Sequence, residues 1–364
     1  MCRSGRVPGN ETKNDIIQVG PVRRGSSGSR PGIPVNRSRT EGVTPPLRTR
    51  VRSGSGGAGS KASLRRRTAE PPEVSVEPSR IVSKKSLGPD VTMYRISAPD
   101  MARQRKPGQF VIVRISEQGE RVPLTIADAD PAAGTVTLVV QAVGKSTRQM
   151  AMLEEGSILH DIAGPLGTPT RIERFGTVIC CGGGIGTAPM YPIAQALHEA
   201  GNRVLSVVCA RTAGLLVMVE EMEKVSDEVL IMTDDGSRGT KGLATDGIRM
   251  VAGREPAVDH AFAIGPPVMM KFASAVTMEL GIPTTVSLNP IMIDGTGMCG
   301  CCRVTVGGRT RFACVDGPDF DGHQVDFDEL IKRLSTYRDQ EHAAMEHFNG
   351  GCRLTGSGGH GSEG

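Results

Sequence analysis

Apolar positions change their period twice along the chain. From Ser79 they alternate or run in strand-length blocks: Arg80-Ile-Val-Ser-Lys, Val91-Thr-Met-Tyr-Arg-Ile, Gln109-Phe-Val-Ile-Val-Arg-Ile and Thr135-Val-Thr-Leu-Val-Val-Gln, with Gly and Pro between them. Short strands punctuated by turn residues predict a small antiparallel barrel. After Phe175 the texture becomes buried strands alternating with helical stripes. Gly176–Cys181 is the first such strand. The helix after it carries Met190, Ile193, Ala194 and Leu197 on one face, and Arg203–Cys209 is the next strand. Helix 215–224, strand 228–233, a helix near 244–251, strand 260–264 and helix 267–280 continue the alternation. That is the pattern of a doubly wound parallel sheet.

The expected fold is a β-barrel plus α/β. An antiparallel barrel covers 79–172, a nucleotide-type domain 173–283, a cysteine-rich loop module 284–327, a helix 328–348 and a flexible tail 349–364. Residues 1–78 are rich in Gly, Ser, Pro and Arg, lack a sustained period, and read as a disordered extension. Charge separates along the same line. Residues 1–75 hold 15 Lys/Arg against 5 Asp/Glu, whereas the remainder holds 28 against 34. The basic character therefore belongs to the extension, and the body is mildly acidic.

Composition removes several classes. Aromatic residues make up 3% and tryptophan is absent, which argues against a base-stacking nucleic-acid surface. No apolar run approaches a membrane span. The 9 cysteines cluster, and no secretory apolar segment opens the chain. A reducing cytoplasm is the expected setting, rather than a disulfide scaffold in an oxidising one.

The candidate chemistry concentrates in Leu288-Asn-Pro-Ile-Met-Ile-Asp-Gly-Thr-Gly-Met-Cys-Gly-Cys-Cys-Arg. Asp294, Cys299, Cys302 and Cys314 place three thiolates and a carboxylate on one Gly-rich loop and the strand pair after it. Soft thiolates at this density select zinc or an iron–sulfur cluster. The compact loop fits a 2Fe-2S cluster better than a zinc finger, because no second CxxC or His pair follows. Ordinary buried cysteines are the bland alternative. Cys299-x2-Cys302 lets both sulfurs converge, so Cys301 is expected to be a packed or semi-exposed bystander. Cys180, Cys181 and Cys209 lie within strands and read as buried and inert.

Cys181-Gly-Gly-Gly-Ile-Gly-Thr-Ala-Pro stands between a strand and a helix. Gly182, Gly183, Gly184 and Gly186 let backbone approach a pyrophosphate, and Thr187 and Ala188 open the helix whose N-terminus favours its charge. A tight structural turn is the other reading. Gly265, Pro266 and Met269 follow a later strand and would wall the same crevice, or form a plain turn. Arg211, after the second strand, accepts a 2′-phosphate of NADP(H) or is a solvated arginine. Asp234 either orients a nicotinamide or caps a turn, and His323 reads as a turn histidine. In the barrel, Arg121, Pro123, Leu124 and Thr125 end the third strand. Gln141 and Val143 end the strand 136–143, and Gly144, Ser146 and Thr147 follow it. They offer a cation, hydroxyls and backbone N–H groups to a flavin ring and its pyrophosphate, although turn chemistry explains each motif nearly as well.

Barrel, dinucleotide domain and cluster loop in this order resemble the ferredoxin–NADP reductase superfamily. More narrowly, Pro107-Gly-Gln-Phe-Val-Ile-Val, Arg121-Val-Pro-Leu-Thr-Ile-Ala-Asp, Cys181-Gly-Gly-Gly-Ile-Gly-Thr-Ala-Pro, Thr233-Asp-Asp-Gly-Ser and Asp294-Gly-Thr-Gly-Met-Cys resemble the small (alpha) subunit of NADH-dependent ferredoxin:NADP oxidoreductase. That family is also described as the beta subunit of sulfide dehydrogenase. The resemblance runs from about Ser79 to His347. It implies FAD in the barrel, NAD(H) across the second domain and a 2Fe-2S cluster on Asp294, Cys299, Cys302 and Cys314. It also implies a larger flavoprotein partner resembling the small subunit of glutamate synthase, with ferredoxin reached through the complex. The sister family, the electron-transfer subunit of dihydroorotate dehydrogenase, places cysteine where Asp294 stands. The wider superfamily has Arg-x-Tyr-Ser/Thr at the flavin, whereas here Arg121 precedes Thr125 by four and Pro-Leu replaces the tyrosine. Readings from other classes are a redox-sensing module without turnover and a structural zinc site.

Overall fold

The computed structural model describes residues 79–254 and 256–355. The expected disordered extension 1–78 and residues 356–364 of the expected tail lie outside them.

The alternating blocks form an antiparallel six-stranded sheet. Its elements are β1 (Ile81–Gly88), β2 (Val91–Ser97), α1 (Pro99–Gln104), β3 (Phe110–Arg114), β4 (Arg121–Asp130), β5 (Thr135–Gln141), α2 (Lys145–Ala151) and β6 (Asp161–Leu166), in the spatial order β1-β2-β5-β4-β3-β6. The open edges approach one another. Ile81 N–H donates to Ser157 O and Leu159 N–H to Ser79 O, so β1 meets the segment just ahead of β6 and the sheet curls into a barrel. Val111, Val113, Ile126, Val136 and Leu138 fill its interior. The sequence reading had Arg121–Thr125 ending the third strand. They open the fourth instead, because Arg114 pairs directly with Arg121 across a reversal at 115–120.

The second body runs β7 (Thr177–Gly183), α3 (Thr187–Glu199), β8 (Arg203–Ala210), α4 (Val219–Lys224), β9 (Glu228–Thr233), β10 (Thr240–Lys241), α5 (Ala244–Ala252), β11 (His260–Ile264), α6 (Pro267–Glu279) and β12 (Thr284–Ser287). Strands β9-β8-β7-β11-β12 are parallel neighbours in that order, so connectivity reverses between β7 and β11. Ligands of such sheets bind at the carboxyl ends beside that reversal. The expected helix 215–224 is shorter, because Met218 takes a left-handed conformation (φ 54°) and α4 starts after it.

Past β12 come the hairpin β13 (Arg303–Val306) and β14 (Arg309–Phe312), then β15 (Asp319–Asp321), α7 (Phe327–Leu334) and α8 (Arg338–Thr355). Two expectations are refined here. The cysteine-rich module expected at 284–327 shares its first strand and its core with the parallel sheet: β12 pairs with β11, β15 adds antiparallel to β12, and Val304, Phe327 and Leu330 share one core with Ile248 and Met270. The expected helix 328–348 is two helices broken at Ser335–Tyr337, and the second continues to Thr355 into the expected tail.

Candidate functional site

One face of β4 organises the molecule. Side chains alternate across a strand, and Leu124 and Ile126 point into the barrel. Arg121, Pro123, Thr125 and Ala127 therefore share the outward face. At one end, Arg121 Nε donates to Ile293 O at 2.9 Å, reaching the cysteine loop. At the other end, Ala127 packs with Ala188, Val217 and Met218 of the nucleotide-type domain. Beside it, Phe110 and Ile112 pair with Thr125 and Pro123 and pack against Cys302 and Cys314.

The loop from Asn289 to Cys302 is built on positive-φ glycines. Gly295 (φ 81°) is one, and a Cβ there would sit 2.8 Å from Leu166 and 3.0 Å from Ile112, so only glycine lets the loop lie this close to the barrel. Cys302 and Cys314 are 1% and 2% exposed, with sulfurs 3.1 Å apart. Burial beside Cys302 pushes the Cys314 thiol up to about 12, while the Gly297 N–H faces its sulfur. Cys299 is exposed; the Cys301 N–H and then the Asp294 N–H pull its thiol below the ordinary value. The Asp294 carboxylate accepts from the Thr296 hydroxyl and from Thr296 N–H (3.1 Å) and Met298 N–H (3.4 Å), all on Oδ2. The Thr296 hydroxyl, more than the nearby Arg121 charge, holds this carboxyl below the usual range. Cys301 is half-buried and its carbonyl accepts from Arg333. Among the described residues no three of His, Cys, Asp and Glu converge on a point that would hold a single metal ion. The candidate donors divide into a buried pair, Cys302 and Cys314, and the half-buried Asp294 with the exposed Cys299, a layout that suits a two-centre cluster better than one zinc.

At the carboxyl edge of the parallel sheet lies a cavity of about 750 Å³. Gly183, Gly184, Arg211, Asp234, Pro266 and Met269 line it, as does Gln141 from the barrel. Met269 is wedged between two glycines: a Cβ on Gly183 would lie 2.2 Å from its sulfur and one on Gly265 2.7 Å from its methyl. Gly186 sits against backbone, where a Cβ would meet Ile264 O at 2.4 Å. Thr187 Oγ1 is buried without a partner at the first turn of α3. These glycines leave the open, N–H-lined strand-to-helix turn that a pyrophosphate needs.

The loop before α2 differs from expectation. Thr147 Oγ1 accepts from Val143 N–H and Gly144 N–H and donates to Gly144 O, while Ser146 Oγ donates to Glu120. Thr147 caps its own helix, so those donors are occupied by the protein, and the first-turn N–H groups of Lys145 and Ser146 remain for an outside acceptor. Sequence reasoning missed the cavity walls Cys209, Leu243, Thr245, Arg249, Phe272 and Glu279. Phe272, Ala275, Val276 and Glu279 recur at helical spacing, which reads as a core stripe. It missed Phe110 and Ile112 beside the cysteines for a similar reason: a continuous apolar strand reads as core on both faces.

The oxidoreductase FAD-binding domain family matches residues 78–170, and the iron–sulfur cluster binding domain of dihydroorotate dehydrogenase B matches residues 289–326. Fold and loop thus define an electron-transfer component of an oxidoreductase, with an FAD-binding barrel, a doubly wound nucleotide-type sheet and an iron–sulfur domain. The dihydroorotate dehydrogenase B (NAD(+)), electron transfer subunit homolog of Thermotoga maritima is 50% identical over 270 residues, 74% of this chain and 95% of that one. A probable dihydroorotate dehydrogenase B (NAD(+)), electron transfer subunit of Methanocaldococcus jannaschii is 34% identical over 64% of this chain and 84% of its own. A chain of the NADH-dependent reduced ferredoxin-NADP oxidoreductase structure, solved for insight into flavin-based electron bifurcation, is 48% identical. It superposes with a TM-score of 0.71 over 75% of this chain and 98% of its own. This chain belongs to the family of dihydroorotate dehydrogenase B-type electron-transfer subunits. Among the described residues no helix is long and apolar enough to cross a membrane.

Proposed function

We propose that this subunit passes electrons between NAD(H) and a larger partner flavoprotein, through FAD on the outward face of β4 and a 2Fe-2S cluster on Asp294, Cys299, Cys302 and Cys314. The supporting observation is the strand face itself. Ala127 touches the nucleotide-type domain, Pro123 and Thr125 lie in the middle, and Arg121 reaches the cysteine loop. Six residues of strand span about 20 Å, so the three sites string along one rigid element. When bound, FAD exchanges a hydride with the nicotinamide and single electrons with the cluster.

The residues bind, orient and keep the path dry. Pro123 and Thr125 give the flavin ring a flat, fixed floor with few rotamers. Gly183, Gly184 and Gly186 let backbone N–H groups approach a pyrophosphate, with Thr187 and Ala188 at the helix start behind them. Gly265, Pro266 and Met269 wall the nicotinamide end, and Gln141 closes the barrel side, with Leu124 beneath the strand in the barrel core. Gly144, Val143, Ser146 and Thr147 fix the turn that presents the first N–H groups of α2 to the flavin's phosphates. Phe110 and Ile112 exclude water between flavin floor and cluster. Asp294 has Oδ2 held by its own loop, leaving Oδ1 as a single hard ligand that would set the cluster potential apart from that of an all-thiolate site.

The names of the relatives support NAD(H). The cavity lining itself pulls the other way: Arg249 is paired with Glu279 at 2.5 Å, and Arg211 is the lining cation outside that pair, available to an extra phosphate. Exposed Ile293, Val315 and Met298 (86% exposed) collar the exposed Cys299. This apolar rim suits docking of the partner, of the glutamate synthase small-subunit type with ferredoxin beyond it, in a reducing cytoplasm. An anaerobic titration of the purified chain with NADH and then NADPH tests the reading. Bleaching by NADH at the lower concentration, with iron and acid-labile sulfide present, is expected; a colourless zinc protein would refute it. Because one matching domain is that of dihydroorotate dehydrogenase B, the assembled complex should also be assayed with dihydroorotate. Turnover there would replace ferredoxin:NADP chemistry with that activity.

A further inference from the structure

Arg121 sits at the head of the flavin-facing strand, yet its guanidinium is committed to the cysteine loop. Nε donates to Ile293 O at 2.9 Å across 172 residues of sequence, and Ile293 immediately precedes Asp294. We propose that Arg121 is a positioning residue of the iron–sulfur loop: it pins Ile293–Asp294 to the barrel, and its charge raises the reduction potential of the cluster held there. The proposal rests on the 2Fe-2S reading above.

Three features carry it. The anchor is rigid, because Arg121 is fixed by its pairing with Arg114 at the closed end of β3–β4. That pairing places two like charges opposite one another, an unfavourable arrangement in a sheet. Among the described residues neither arginine has a carboxylate within salt-bridge distance, and Arg114 Nε is buried without a partner. A strand that keeps this repulsion gains from an anionic neighbour, and a loop with three thiolates and a carboxylate is one. Finally, the adjacent position cannot take over the task. Val122 alternates onto the same side as Leu124 and Ile126, which pack into the barrel, so it faces away from the loop.

The charge effect has a definite sign. Reduction adds one electron to a centre whose ligands are already anionic, and a nearby cation stabilises the added charge. Backbone and side-chain donors around such centres tune potential in the same direction. A single cation at a partly exposed position is worth roughly a factor of ten in the reduction equilibrium, or 59 mV for a one-electron couple.

The test is an EPR-monitored redox titration of the full-length Arg121→Gln and Arg121→Lys chains, with FAD and iron measured per chain. Arg121→Gln should keep its FAD and show a cluster potential lower by about tenfold in the reduction equilibrium. Arg121→Lys should keep most of the wild-type potential while holding iron less tightly, because the charge survives and the Nε contact does not. An unchanged potential in Arg121→Gln overturns the proposal. So does loss of FAD from Arg121→Gln at unchanged potential, which would assign the residue to the flavin. A wild-type chain with no iron–sulfur signal sinks the 2Fe-2S reading itself, whereas a wild-type signal indifferent to both variants sinks only the role of Arg121.

Discussion

Gly186→Ala is the most informative steric test of the nucleotide site. The backbone at Gly186 is right-handed helical (φ −63°, ψ −13°), so alanine fits its dihedrals. On that ground alone the substitution would stabilise by about 0.4–1 kcal/mol through the unfolded chain. Sterics act the other way. The new Cβ would sit 2.4 Å from Ile264 O and 2.7 Å from Gly265 Cα, both backbone atoms. Relief requires about 1 Å of separation between the start of α3 and the end of β11, and overpacking of this kind costs about 1–3 kcal/mol. The net expectation is a loss of about 1–2 kcal/mol, or a fall in Tm of roughly 2–8 °C for a body of this size. Those two segments form the mouth of the cavity, so KM for NADH should rise at least severalfold while FAD and iron content stay constant. Differential scanning fluorimetry and steady-state NADH oxidation with an artificial acceptor measure both. Gly214→Ala is the control, because its Cβ would meet nothing within 4 Å. A Gly186→Ala chain as stable as wild type, with unchanged KM, would refute the close-approach argument.

The remaining predictions concern the cysteine loop and one buried histidine. Asp294→Ala should lose iron on purification while retaining FAD; a full iron load with an unchanged visible spectrum contradicts its role as ligand. Cys302→Ser should lose the cluster whereas Cys301→Ser should keep it, read by iron and sulfide content, and the reverse result would exchange their roles. His260 stacks on Phe175 (centroids 4.5 Å apart), and burial pulls its imidazole below the ordinary value. A lowered folded-state value means the unfolded chain binds the proton first. Stability should therefore be full above about pH 6.5 and decline as pH falls below it. Urea midpoints at pH 7.5 and 5.5 measure the loss, and His260→Phe should show less of it.

Periodicity made the two sheets legible, since period-2 blocks and strand–helix alternation report burial directly. The cysteine spacing marked the candidate donors for the same reason that the chemistry needs it: short loops converge ligands. What stayed hidden depends on contacts distant in sequence. Nothing near Arg121 signals that its partner is Ile293, and a wholly apolar Phe110–Val113 does not reveal that alternate side chains serve the barrel core and the cysteine pocket. The break at Ser335–Tyr337 and the merging of 284–287 into the parallel sheet were obscured because local propensity does not specify which neighbour completes an edge. Thr147 looked like a phosphate-facing hydroxyl, but at the third position of a helix the same hydroxyl serves the chain's own N–H groups first.

The central claim is a relay along one strand face from nicotinamide through flavin to cluster. Rapid mixing of the purified chain with NADH under anaerobic conditions, followed at flavin and cluster wavelengths, tests it most directly. The account predicts flavin bleaching followed by cluster reduction within the same turnover, with the second phase slowed when Ile112 is cut to alanine. Flavin bleaching with a cluster that stays oxidised, or a second phase indifferent to Ile112→Ala, would contradict it.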